Sequence, residues 1–146
     1  MSSVTPSVTP APAAPTRVPP SVVALADVPV TPAAEAVTRV RIARAITKGR
    51  NGSDLMLGAA WMDPGEKTNV WSSRGADDTA DGDHWYGPVE ETYFIIRGQL
   101  RLTWDEGHFD LGPEDCVYLA PGWTYHLENT GDEPAFFTYS MTPSQE

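Results

Sequence analysis

The chain has 146 residues, of which 10 are basic and 20 acidic, giving a formal net charge of −10 at pH 7. That length suits one domain able to bury a core, and the acidic balance argues against nucleic acid as a partner. No run approaches the roughly 18 apolar residues that span a bilayer. The start of the chain also lacks the charged and apolar regions of a signal peptide, so no membrane partner is expected and the cytoplasm is the expected location. A single cysteine, Cys116, excludes an internal disulfide and fits a reducing compartment.

Eight of the 14 prolines fall in residues 1–34, among Ser, Thr, Val and Ala. Such a segment has no periodic apolar face, so residues 1–36 are expected to form a flexible Pro/Ala/Thr-rich arm and residues 37–146 a compact domain. Residues 1–53 carry six basic and two acidic groups, a net of +4, whereas the remainder carries four basic and 18 acidic, a net of −14. Two readings stay open for the basic segment: it binds an anion, or it lies against an acidic body, its own or a partner's.

From residue 39 the pattern is β. Residues 39–46 alternate charged and apolar around Val40 and Ile42, and Asn51-Gly52-Ser53 reads as a turn. Residues 55–62 form a buried-looking run that ends at the turn Asp63-Pro64-Gly65. Residues 74–83 make an acidic loop in which Asp77, Asp78, Asp81 and Asp83 invite a calcium reading. That loop lacks the bidentate glutamate and glycine positions of an EF-hand, which favours a solvated lid. Residues 92–97, Gly98, then 99–104 and Asp105-Glu106-Gly107 read as strand, turn, strand, turn. Runs at 108–111, 116–120, 125–128 and 135–141 complete the series. Short strands at this spacing, without an amphipathic helix, indicate an all-β sandwich or barrel.

The stretch 112–129 combines Gly112, the turn pair Pro121-Gly122, then His126 and Asn129. This order resembles the second motif of the cupin superfamily, in which the histidine is a metal ligand. Glu91 and Gly98, six residues apart in between, resemble the last pair of the first cupin motif, where the glutamate binds metal and the glycine turns the hairpin. Counting back from Glu91, the two histidines of that motif fall at His84 and at Tyr86, so one is replaced. A second alignment starts from Pro64-Gly65, puts the histidine positions at Trp71 and Ser73, and makes residues 74–83 an insertion. The resemblance covers roughly residues 55–141 and implies a cupin-type double-stranded β-helix, a jelly-roll barrel.

It also implies a site. His84, Glu91 and His126 would hold a divalent transition metal, Fe, Mn, Ni or Zn, with open positions for substrate, water or dioxygen. Tyr86 would be a fourth ligand or an acid/base group. Tyr93, two residues after Glu91, shares its strand face and is the second candidate base. Glu90 should face outward and Trp85 away from His84. His108 reads as surface and Cys116 as an ordinary strand residue. Trp71, Trp123 and Tyr125 could line a pocket mouth for a flat or apolar substrate.

The reading that follows is a small metal-dependent cupin enzyme acting on a small organic molecule, as a dioxygenase, lyase or isomerase. The missing histidine favours one alternative, a non-catalytic ligand-binding cupin; a further alternative is a metal-free acid/base cupin using Tyr86, Tyr93 and His126. A homodimer is expected, with residues 37–46 adding a strand to the partner's sheet.

Overall fold

A computed structural model describes residues 17–36, 38–72, 84–85 and 88–144. Its strands are β1 (Arg41–Ile46), β2 (Met56–Met62), β3 (Trp71–Ser72), β4 (His84–Trp85), β5 (Glu90–Arg97), β6 (Leu100–Trp104), β7 (Gly107–Leu111), β8 (Cys116–Leu119), β9 (Thr124–Asn129) and β10 (Ala135–Thr142). The helical turns among the described residues are a 3-10 turn at Leu25–Asp27 and the single turn α1 (Lys48–Asn51). Thr47 caps α1 by accepting from the Arg50 N–H at 3.0 Å, and Gly52 ends it in the left-handed conformation. No helix among the described residues is long and apolar enough to cross a membrane.

Two five-stranded sheets face each other, ordered β1-β2-β10-β5-β8 and β4-β3-β9-β6-β7. All pairings are antiparallel except the short β3–β4 pair. This is the jelly-roll barrel that the cupin resemblance implies, within the sandwich-or-barrel class that the strand pattern indicates. The strands form because their apolar residues recur every second position, so one face of each can be buried. Along β10, Ala135, Phe137, Tyr139 and Met141 are buried and the residues between them are half-buried. Ile95, Leu100, Leu102 and Leu127 meet between the sheets and close the core.

The β5–β6 hairpin turns at Gly98, with φ +89°. A Cβ there would lie 2.6 Å from the Ala135 Cα, so both the turn and the neighbouring strand require glycine. Asn129 is buried with its polar atoms satisfied. Its Nδ2 donates to the Met62 and Glu133 carbonyls at 2.8 and 3.0 Å, and its Oδ1 accepts from the Gly131 N–H at 2.9 Å.

The described part of the N-terminal segment touches the barrel. Val28 and Ala36 are buried, and Thr31 forms a bridge with Ile42 at the outer edge of β1. β1 itself pairs along its other edge with β2 of the same chain. The strand expected to join a partner's sheet is thus already seated in its own.

Candidate functional site

Register defines the inner face of the first sheet. One cross-strand row runs Arg44, Gly58, Tyr139, Tyr93, Val117, and the next runs Met56, Met141, Glu91, Leu119. Arg44, Met56, Tyr139, Tyr93, Met141 and Glu91 all line a cavity of about 60 Å³. That is room for a few water-sized groups. Trp71 and Thr68 complete its far wall.

Glu91 is the acidic side chain among the described residues of this lining. It is buried, with 6 % of its surface exposed. Burial pushes its carboxyl up to about 8, because an ionised carboxylate loses its hydration there; a side-chain hydrogen bond from Tyr93 offsets part of that rise. At neutral pH the carboxyl therefore carries a proton that it can donate. Tyr93 is held in place by edge-on packing against Phe137 (5.4 Å, 67°) and Trp71 (6.4 Å, 71°).

Tyr125 lies opposite Trp71 on the neighbouring strand of the second sheet, ring centroids 6.0 Å apart, and donates its hydroxyl to the Ala120 carbonyl at 2.8 Å. Burial, reinforced by the negative charges of Asp105 and Glu91, pushes its phenol up to about 12, so it remains a fixed donor. Beyond Tyr125 lies a second cavity of about 220 Å³, lined by Trp104, Val117, Tyr118 and Trp123 among others. Of the three aromatics expected at a pocket mouth, Trp71 lines the first cavity, and Trp123 and Tyr125 the second.

His126 requires a correction. The residues of β9 that join the core are Tyr125, Leu127 and Asn129, so His126 is one residue out of phase and belongs to the outer face with Glu128. It is half-buried opposite Thr103 and lines neither cavity. Glu91 and His126 therefore do not converge. Glu90 does face outward, where its carboxylate accepts from the Tyr118 hydroxyl at 2.6 Å. His108 and Cys116 are exposed.

For His84 the backbone alone is described: it pairs in parallel with Trp71 on the cavity wall. Tyr86 and the aspartates of residues 77–83 lie outside the described residues, as does the calcium reading of that loop. Among the described residues no three His, Cys, Asp or Glu side chains come together to hold a metal ion. The described residues consequently do not fit the expected three-ligand metal centre.

Sequence reasoning missed Arg44 and Tyr139 in the lining, and placed Tyr125 at a pocket mouth without giving it the inward position on β9. The signal for Tyr125 was the alternation Tyr125, Leu127, Asn129 against the polar His126 and Glu128. For Arg44 it was the phase of β1: if Ile42 faces in, so does Arg44.

The family profile described as "Cupin domain" matches residues 76–141. The match spans β4 to β10 of the two-sheet barrel. Over those residues the chain is similar to the cupin family. The chain is 31 % identical over 51 residues to an uncharacterized protein of Methanocaldococcus jannaschii, a match covering 35 % of this chain and 41 % of that relative's length. Among solved structures it resembles a predicted oxalate decarboxylase of Thermotoga maritima, with a TM-score of 0.67 and 16 % identity over 84 % of this chain and 99 % of that chain. KdgF from Halomonas sp. superposes with a TM-score of 0.65 at 8 % identity, covering 88 % and 97 % of the two chains. The cupin domain of Schizosaccharomyces pombe Cnp3 gives a TM-score of 0.61 at 15 % identity, covering 83 % and 72 %. At these identities the likeness is one of fold.

Proposed function

We propose that this protein binds a small organic molecule in the cavity at Glu91 and acts on it by proton transfer, with Glu91 and Tyr93 as the acid/base pair and without a metal. The observation that carries this reading is a buried glutamate, hydrogen-bonded by Tyr93, facing a cavity that His126 does not enter. A carboxyl with pKa near neutrality suits both halves of a general acid–base step, donating a proton at one stage and accepting one at the next. Tyr93 donates to the carboxylate form, so it stabilises Glu91 each time the proton leaves. Trp71, Phe137 and Met141 keep bulk water from the reacting group and favour an apolar ligand body.

The metal-dependent dioxygenase, lyase or isomerase is the second reading. It is favoured by the cupin family itself and by the seating of His84 beside Trp71, which lines the cavity. It would need ligands other than His126. Elemental analysis of protein purified without added metal separates the two. The acid/base reading expects negligible Fe, Mn, Ni and Zn with ligand binding retained. One equivalent of any of these metals, lost in Glu91→Ala, would replace it with the metalloenzyme.

The homodimer remains part of the proposal, but through a face rather than a donated strand. The outer face of the first sheet exposes Phe94, Ile96 and Leu57, an apolar patch suited to association.

A further inference from the structure

We propose that the second cavity, the one beyond Tyr125, binds a small organic cation, an alkylated ammonium head held against the rings of Trp104, Phe109 and Trp123. This site is separate from the cavity at Glu91, and the proposal does not depend on the proton-transfer reading.

The cavity lies where the two sheets end. β8 is the outermost strand of the first sheet and β7 of the second, and side chains from both line the space. Their inward positions lose cover toward one end. Along β6, Leu100 and Leu102 are buried, while Trp104, next in phase, is half-buried. On β7, Leu111 is buried, yet Phe109, in phase with it, is 54 % exposed. On β8 the corresponding pair is buried Leu119 and half-buried Val117. Side chains in phase with the core but open to solvent border a space that the fold leaves unfilled. Its volume is about 220 Å³, against roughly 30 Å³ for one water in the liquid.

The walls select what enters. Trp104 stacks with Phe109 (6.2 Å, 7°) and stands at a right angle to Trp123 (5.1 Å, 83°), so ring planes in two orientations border the space. Ring faces carry the negative end of the aromatic quadrupole and attract a cation, more strongly once it is partly desolvated. On the outer face of the first sheet the rings take their cations from the protein itself. Arg41 lies over Trp61 and Arg97 over Phe136, each 5.4 Å from the ring centroid. Among the described residues no such cation lies over Trp104, Phe109 or Trp123, and no charged side chain lines this cavity.

The surrounding charge has the matching sign. Residues 54–146 carry four basic and 18 acidic groups. Asp105, next to Trp104 in the chain, accepts from the Thr124 N–H at 2.7 Å beside Trp123, and its negative charge is felt at the Tyr125 phenol on the cavity wall. The Tyr125 proton is committed to the Ala120 carbonyl, so the phenol offers no donor to an anion. A flat neutral ligand would gain from the rings and nothing from the field. An alkylated ammonium gains from both.

Calorimetry on the full chain at neutral pH with choline and its neutral carbon isostere, 3,3-dimethyl-1-butanol, tests this. The two probes share shape and hydroxyl and differ in charge. Choline is expected to bind at least about fivefold more tightly, the scale of one cation held on aromatic rings. Trp123→Leu keeps the wall apolar and should remove most of that preference. Phe109→Leu should reduce it as well, at a position already half in solvent. Choline affinity should be the same in Glu91→Gln, because that carboxyl faces the other cavity. Equal affinity for the two probes overturns the cation class, as does a wild type that binds neither. Full retention of the preference in both ring variants overturns the assignment of the rings. Loss of choline binding in Glu91→Gln overturns the choice of cavity. Should Trp123→Leu not fold, the wild-type preference and its reduction in Phe109→Leu decide the matter.

Discussion

Tyr125 and His126 are adjacent in the chain and stand on opposite faces of β9: Tyr125 packs against Trp71 inside the barrel, and His126 sits opposite Thr103 on the outside. A period of two makes this unavoidable, since a strand cannot present neighbours to the same side. His126→Ala should therefore leave ligand affinity unchanged and shift stability by no more than about 0.5 kcal/mol, the usual scale for a side chain away from the core. Parallel calorimetry and thermal melts check both. An inward metal ligand would lose binding altogether.

The fold was legible because its signal is repeated many times. Apolar residues every second position along residues 135–141, and turn chemistry at Asp63-Pro64-Gly65, Gly98 and Asp105-Glu106-Gly107, each specify a strand or its end. The glutamate was legible from its spacing to Gly98 and from its place two residues before Tyr93. The histidine was misplaced because the motif was read by residue type and not by phase. Asn129, tied to the Met62 and Glu133 carbonyls, fixes which residues of β9 are odd and inward. Arg44 escaped because it was read only as one of the basic residues of a segment that binds an anion or lies against an acidic body, and only the pairing of β1 with β2 fixes its face. Gly58 carries no local turn signal at all. Its reason is a tyrosine 81 positions away in the chain.

That contact gives the second prediction. Gly58→Ala places a methyl group in the Tyr139 ring, and the ring is confined by the sheet on both sides. The substitution should destabilise by about 1–3 kcal/mol, the usual range for overpacking, despite the better strand propensity of alanine over glycine. Chemical denaturation measures it. Gly58→Ala combined with Tyr139→Ala should recover part of the loss, because the clash is then gone.

The third prediction concerns pH. Glu91 has a folded pKa of about 8 against 4.5 as its ordinary value, so the folded state holds the proton more tightly than the unfolded state does. Its effect on stability is absent below about pH 4.5, grows as pH rises from there to about 8, and is fully unfavourable above. The full penalty is at most on the order of 5 kcal/mol, from roughly 3.5 pKa units. Denaturant midpoints across this range should fall more steeply for wild type than for Glu91→Gln, whose side chain cannot ionise. Parallel slopes for the two proteins would mean that Glu91 is ionised in the folded state.

Tyr93→Phe removes the hydrogen bond that opposes the rise. The carboxyl of Glu91 should then titrate higher still, and the acid–base step should shift its pH dependence upward with it. A pH profile of Tyr93→Phe displaced to lower pH would contradict the pairing.

The claim at the centre is a protonated Glu91 at neutral pH in a cavity without a metal. Carbon NMR of protein labelled at the glutamate side-chain carboxyls, with Glu91→Gln identifying the resonance, reads that state directly. The account predicts a single titration with its midpoint near 8, unchanged by a chelator. A carboxyl that titrates near 4.5, or one whose midpoint rises only after the chelator strips a bound metal, would contradict it.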